Sequence, residues 1–353
     1  MAWRAIVSRD MTQPWYEADE KYLPAHYQPA LLMDLLLARD ISSHRFLRAT
    51  GLFYDDVLAG KQLLSLQQLS QLIQNGDKLV ADGDLSFRWG ANLWPGHYGV
   101  ASQLLSQAPD LRRALKVLVS YRRVLCPLLA PRVYEDERYC YVQWLDAAGM
   151  QSEHRFMVEA SMTGLSAMTA WLSGRTLPWH YGFHYRRPHS DEHYQVNLPG
   201  SHFFELGTDV MIIDRAWLDR PWPRASVTAF QAAWQASVVS DELLKPAFCE
   251  RVYELIRNTA DHEMSLTLVA DTLAMSPATF KRKLKKHHRT FQQIQDQVKL
   301  DISLYLLHMR GYNNEQVARH LQFNDTTNFR RAFKRWTGLT PSDVRMQFRL
   351  ADI

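Results

Sequence analysis

The chain has 353 residues, 46% of them hydrophobic and 22% charged, with 41 Lys and Arg against 37 Asp and Glu. That length suits two domains rather than one. No stretch approaches the roughly 20 apolar residues of a membrane span, and the three cysteines, Cys126, Cys140 and Cys249, are too few and too scattered for a disulfide framework or a Cys-x-x-Cys metal motif.

Residues 29–129 alternate helical periodicity with short polar breaks and read as four or more helices. LLMDLLLARDI opens this series and SQAPDLRRALKVLVSYRRVLCPLL stands near its end. From Arg132 the period shortens to two. VYEDERYCYVQWL reads as a hairpin with a charged turn, a further helix covers 154–173, and YGFHYRRP, SHFFELG and DVMIID read as short strands. Helices segregated before an antiparallel sheet predict an α+β fold for an N-terminal domain of residues 1–240. A linker is expected at 236–245. A helix over about 247–257 then begins an all-α domain of residues 241–353.

Within that second domain one pattern occurs twice. SLTLVADTLAMSPATFKRKLKKH and NNEQVARHLQFNDTTNFRRAFKRW each give a short amphipathic helix, a tight turn and a second helix dense in Lys and Arg. Ala270 and Ala318 are small where two helices must cross. Ser276 caps the first basic helix, with Pro277 at its first position, where a missing N–H costs nothing. Asp325 caps the second. Asn313 with Gln316 forms a capping box for the helix before it. Phe280 with Leu284, and Phe329 with Phe333, face inward at a spacing of four. The outer faces then carry Ala278, Lys281, Arg282 and Lys285 in one unit, and Thr326, Thr327, Asn328, Arg330, Arg331 and Lys334 in the other. This is helix-turn-helix patterning, at about 265–287 and 313–336, whose second helix enters the DNA major groove. Charge is distributed to match. From Lys245 onward 18 basic residues face 11 acidic ones, a net of +7, while residues 1–244 carry a net of −3, as neutralising a polyanion requires.

These motifs resemble the DNA-binding domain of the AraC/XylS family of transcriptional regulators over about 246–349. The resemblance rests on Leu273, Ala274, Met275 and Ser276 in the turn, on the F-x-R-x-L-K run after it, and on F-x-R-A-F-K-R-W-x-G-x-T-P from Phe329 to Pro341, followed by Val344 and Arg345. It departs from the family at Gln322 and His288, where glycine is usual, and at Lys299, where arginine is usual. The first two place a β-carbon in a turn built for glycine. The front region resembles, more weakly, the N-terminal domain of the branch labelled arabinose-binding and related to ornithine-utilisation regulators. Gly99–Asp110, the ALKVLVSY helix, Gly174–Pro178, His184–Pro188 and Leu218–Pro223 carry that likeness. The resemblance implies a bacterial transcription factor that binds double-stranded promoter DNA and responds to a small-molecule effector through its front domain. As an activator it would also contact RNA polymerase, and the helical front domain can supply a homodimer interface.

The front domain shows no H-E-x-x-H, G-x-S-x-G, phosphate loop or zinc signature, so no enzyme, cofactor or metal is expected. His180, His184, His189 and His193 invite a metal reading. Their segment reads as a strand, however, where positions four apart lie about 13 Å apart, and surface histidines are expected. Trp89, Trp94, Tyr98, Tyr121, Trp144, Trp171 and Trp179 are enough to line an apolar pocket. Arg122 or Arg123 could receive a ligand carboxylate. Effector-binding residues are not legible. A DNA-repair or alkyl-transfer protein with the same module would need a reactive thiol, for which the front domain offers Cys126 and Cys140. A ligand-independent DNA-binding protein would leave a front domain of that size without a task. With no apolar leader in MAWRAIVSRD, a cytoplasmic protein is expected.

Overall fold

The computed structural model describes residues 15–149, 152–237, 245–259 and 264–349. The linker expected at 236–245 falls mostly outside them. Helices α1 (Gln28–Leu37), α2 (Leu66–Leu79), α3 (Leu85–Leu93), α4 (Val100–Ser106) and α5 (Leu111–Ser120) come first, with shorter helical segments between them. Their starts follow from local chemistry. Ser65 and Gln68 form a reciprocal capping box on α2, and Asp110 accepts the Arg113 N–H at 2.9 Å to open α5. Strands β1 (Leu129–Glu135) and β2 (Tyr139–Asp146) make the expected hairpin, followed by α6 (His154–Ser173).

Strands β3 (Trp179–Gly182), β4 (Gly200–Phe203) and β5 (Val210–Asp214) complete a five-stranded sheet in the order β1-β2-β5-β3-β4. The β3–β4 pair is parallel, the others antiparallel. The expected purely antiparallel sheet is thus mixed at this edge. The connection between β3 and β4 carries the helix Glu192–Asn197, and such a crossover returns the chain to the same end of the sheet. Helix α3 crosses α6 at close range. A β-carbon on Gly90 would lie 2.4 Å from the Ala160 carbonyl oxygen, so only glycine fits there.

After α7 (Val227–Ala236) come α8 (Phe248–Asn258), α9 (Leu266–Thr272), α10 (Pro277–Lys286), α11 (Phe291–His308), α12 (Asn314–His320), α13 (Thr326–Thr337) and α14 (Pro341–Arg349). One apolar core runs from the front helices and sheet through Phe248, Val252 and Leu255 into Phe280 and Leu284. A second core, around Leu304, Val317, Phe329, Phe333 and Val344, holds α11 to α14 together. The first helix-turn-helix unit therefore shares its core with the front region, and the second has its own.

Candidate nucleic-acid interface

Each basic helix is placed by its cap and its buried pair. Ser276 accepts the Thr279 N–H at 3.2 Å and opens α10, which buries Phe280 and Leu284. Asp325 accepts the Asn328 N–H at 2.7 Å and opens α13, which buries Phe329, Ala332 and Phe333. Helices α9 and α12 pack behind them through Val269 with Ala270 and through Val317 with Ala318. Of the residues read as DNA contacts, Ala278, Lys281, Arg282, Lys285, Thr327, Asn328, Arg330, Arg331 and Lys334 are exposed, and Thr326 is half-buried.

The turns match closely. Ala274 (φ 54°) and Gln322 (φ 59°) are both left-handed and 48 residues apart. In each turn the next N–H reaches back to the alanine at the helix crossing: Met275 to Ala270 at 3.0 Å, and Phe323 to Ala318 at 2.9 Å. The caps, Ser276 and Asp325, lie 49 apart, so the second turn is one residue longer. His288 (φ 51°) ends α10 in the same way, with Arg289 N–H donating to Leu284 O. The two β-carbons that replace the family's glycines thus do sit in left-handed turns. Lys299 lies with its Nζ 5.7 Å from the centre of the Phe323 ring and braces the second turn.

The front region also holds α8, α11 and the C-terminal part of α10. Arg122 Nε donates to Glu250 Oε1 at 2.9 Å, both side chains 4% exposed. Arg132 pairs with Glu254 and covers the Tyr253 ring at 4.3 Å. Arg289 donates to Asp146 at 2.6 Å. Asp301, buried in α11, accepts from Gln143, Gln297 and Tyr253. Burial raises its carboxyl above the usual range, and these hydrogen bonds only partly offset the rise. Glu17 takes both Lys283 and Lys286. Burial alone would raise its carboxyl, but the two ammonium groups hold it down to about 2.

Several readings of the front region change accordingly. Arg122 is tied to Glu250 instead of a ligand, and Arg123 lies over the Tyr22 and Tyr16 rings at 4.4 and 4.9 Å. Lys286, on α10 next to the exposed Lys285, pairs with Glu17 and Asp19. Trp89, Trp94, Tyr98, Tyr121, Trp144 and Trp179 are core residues, while Trp171 is exposed. Cys126 and Cys140 are buried, which pushes both thiols up and leaves neither as a ready nucleophile. His184 lies beyond the end of β3, turned towards Asp209 and His154, two residues that no local spacing connects to it. Among the described residues, no helix is long and apolar enough to cross a membrane.

Residues 41–222 match the family described as the arabinose-binding domain of AraC transcription regulators, and residues 269–347 match a helix-turn-helix domain family. The ornithine utilization regulator of Pseudomonas aeruginosa is 24% identical over 326 residues, covering 92% of this chain and 96% of that protein. The HTH-type transcriptional regulator AdiY of Escherichia coli is 30% identical over 107 residues, 30% of this chain and 42% of its own length. The crystal structure of the transcriptional regulator CdpR from Pseudomonas aeruginosa aligns over 90% of this chain and 98% of that one, at 19% identity and a TM-score of 0.41. With more than half of its length matched by the first family, the chain belongs to the AraC-type transcription regulators that join this N-terminal ligand-binding domain to a helix-turn-helix DNA-binding domain.

Proposed function

We propose that one protomer sets α10 and α13 into successive major grooves on one face of promoter DNA. The observation that supports this most is α11, a single helix of 18 residues standing between two matched basic helices. At about 1.5 Å per residue it is roughly 27 Å long, close to the length of one turn of B-DNA. Lys281, Arg282, Arg330 and Arg331 then reach base edges. Ala278, Thr326, Thr327 and Asn328 give apolar or hydrogen-bonding readout, and Lys285 and Lys334 serve the backbone.

Residues 1–240 act as the sensor and 241–353 as the reader. The effector acts by changing how α8 and α11 are held by the sheet, within a cytoplasmic homodimer that engages RNA polymerase when it activates. The chain is a regulator and performs no catalysis. The relative named for ornithine utilization makes amino acids the first ligands for a thermal-shift screen, followed by sugars and fatty acids. Linkage supplies the test. An effector that changes operator affinity by some factor must have its own affinity changed by the same factor when operator saturates the protein. Equal effector affinity with and without operator would remove the sensing role.

A further inference from the structure

Three segments distant in sequence meet on one wall of a cavity of about 330 Å³ between the front region and the DNA-binding region. His154 is the first residue of α6, His184 follows β3, and Asp209 immediately precedes β5. Asp209 is buried, and the two imidazoles address the same carboxylate oxygen: His154 Nε2 and His184 Nδ1 each lie 2.8 Å from Asp209 Oδ2. The three atoms are all within 4.8 Å of one another. We propose that His154, His184 and Asp209 bind one divalent transition-metal ion of the zinc class.

The carboxylate is held as a ligand needs to be held. Its other oxygen, Oδ1, accepts the His184 backbone N–H at 3.0 Å, and the Asp209 carbonyl accepts the Trp144 N–H at 2.9 Å. Oδ2 is therefore fixed facing the two rings, the outer-shell support that metal ligands require. Two imidazoles can share one oxygen through hydrogen bonds only if each carries a proton on the nitrogen facing it. A metal ion bound beside that oxygen would take the lone pair of each facing nitrogen, the proton there moving to the far ring nitrogen or leaving to solvent. Tetrahedral ligands at 2.0–2.1 Å stand about 3.3 Å apart, so each 2.8 Å nitrogen–oxygen separation must open by about 0.5 Å and the two nitrogens, which lie within 4.8 Å of each other, must settle at the same spacing. Two imidazoles and a carboxylate suit a borderline divalent ion better than calcium or magnesium.

Histidine binds a metal ion through an unprotonated ring nitrogen, so protons compete with the metal at this site. His184 is 43% exposed at its side chain, which gives an entry path. Three protein ligands leave a fourth position open. The same cavity is lined by Arg289 and Leu300 on the α10–α11 side and by Trp336 and Thr337 of α13. The ion would thus sit where the sensor region meets α11 and the second helix-turn-helix unit.

The test uses the full chain, stripped with a chelator and titrated with Zn²⁺ against a chromophoric competitor, and separately with Co²⁺. One equivalent should bind, more tightly as pH rises through the histidine range. His184→Ala and His154→Ala should each weaken binding at least tenfold, and His189→Ala should leave it unchanged. Bound Co²⁺ should show ligand-field bands without thiolate charge transfer. A wild-type protein that takes up less than one equivalent would overturn the proposal. So would folded His184→Ala binding as tightly as wild type, or a thiolate signature placing the ion at a cysteine.

Discussion

The side-chain amide of Gln143, on β2 of the sensor sheet, donates to Asp301 Oδ1 in the middle of α11 at 2.8 Å. One hydrogen bond thus joins the sheet of the front region to the helix between the two helix-turn-helix units. Gln143→Leu removes a donor from a buried carboxylate, and leaving such a group short of partners costs about 1–3 kcal/mol. Urea unfolding should show that loss. In the Asp301→Asn background the same change should cost measurably less, because the charge that needs the donor is gone.

Gly207 tests how tightly the seam closes. It is left-handed (φ 75°), and a β-carbon there would lie 2.6 Å from Thr337 Cγ2. Thr337 cannot easily turn away, because its hydroxyl bonds Phe333 O at 2.9 Å and accepts the Leu339 N–H at 3.1 Å. Gly311 has a similar φ, 63°, with open space around it. Gly311→Ala should therefore cost only the left-handed penalty of about 1–2 kcal/mol. Gly207→Ala should cost a further 1–3 kcal/mol or so of overpacking, read in the same denaturant titration.

Glu17 gives the docking a pH signature. Its ordinary pKa of 4.5 is lowered to about 2 in the folded protein by Lys283 and Lys286. A depressed carboxylate contributes its full stabilisation above the unfolded value and loses it as pH falls through the folded one. The stability difference between wild type and Glu17→Gln should be constant above pH 4.5 and shrink between 4.5 and about 2. A difference that did not change over that range would separate Glu17 from the lysines in solution.

The two classes of DNA contact should separate in a binding-site selection. Arg331→Ala should flatten preference at one or two base positions, a loss of about 1–3 kcal/mol of discrimination. Lys334→Ala should weaken all sequences alike and reduce the salt slope by about one unit. Unchanged preference in Arg331→Ala would remove that residue from the base-reading set.

The reader helices were legible in the sequence because everything that makes them is local. Caps, a buried pair at a spacing of four and a basic outer face all fall within a dozen residues, and Gln322 and His288 marked left-handed turns by standing where the family carries glycine. The seam was not legible, because its parts are joined only by the fold. Arg122 meets Glu250 from 128 positions away, and Gln143 meets Asp301 from 158. Adjacent arginines beside Tyr121 therefore looked like ligand candidates. Their signal lay elsewhere, in Glu250 and Glu254 spaced four apart on α8 to face Arg122 and Arg132. By sequence spacing His184 groups with His180, His189 and His193, whereas its spatial partners are His154 and Asp209.

A hydroxyl-radical footprint of the full chain on a selected site tests directly whether one protomer reads two grooves. Two protected windows about 10 base pairs apart on the same face of the duplex are predicted for each bound protomer. Arg282→Ala should weaken protection in one window and Arg331→Ala in the other. A single protected window per protomer, weakened by both substitutions alike, would contradict it.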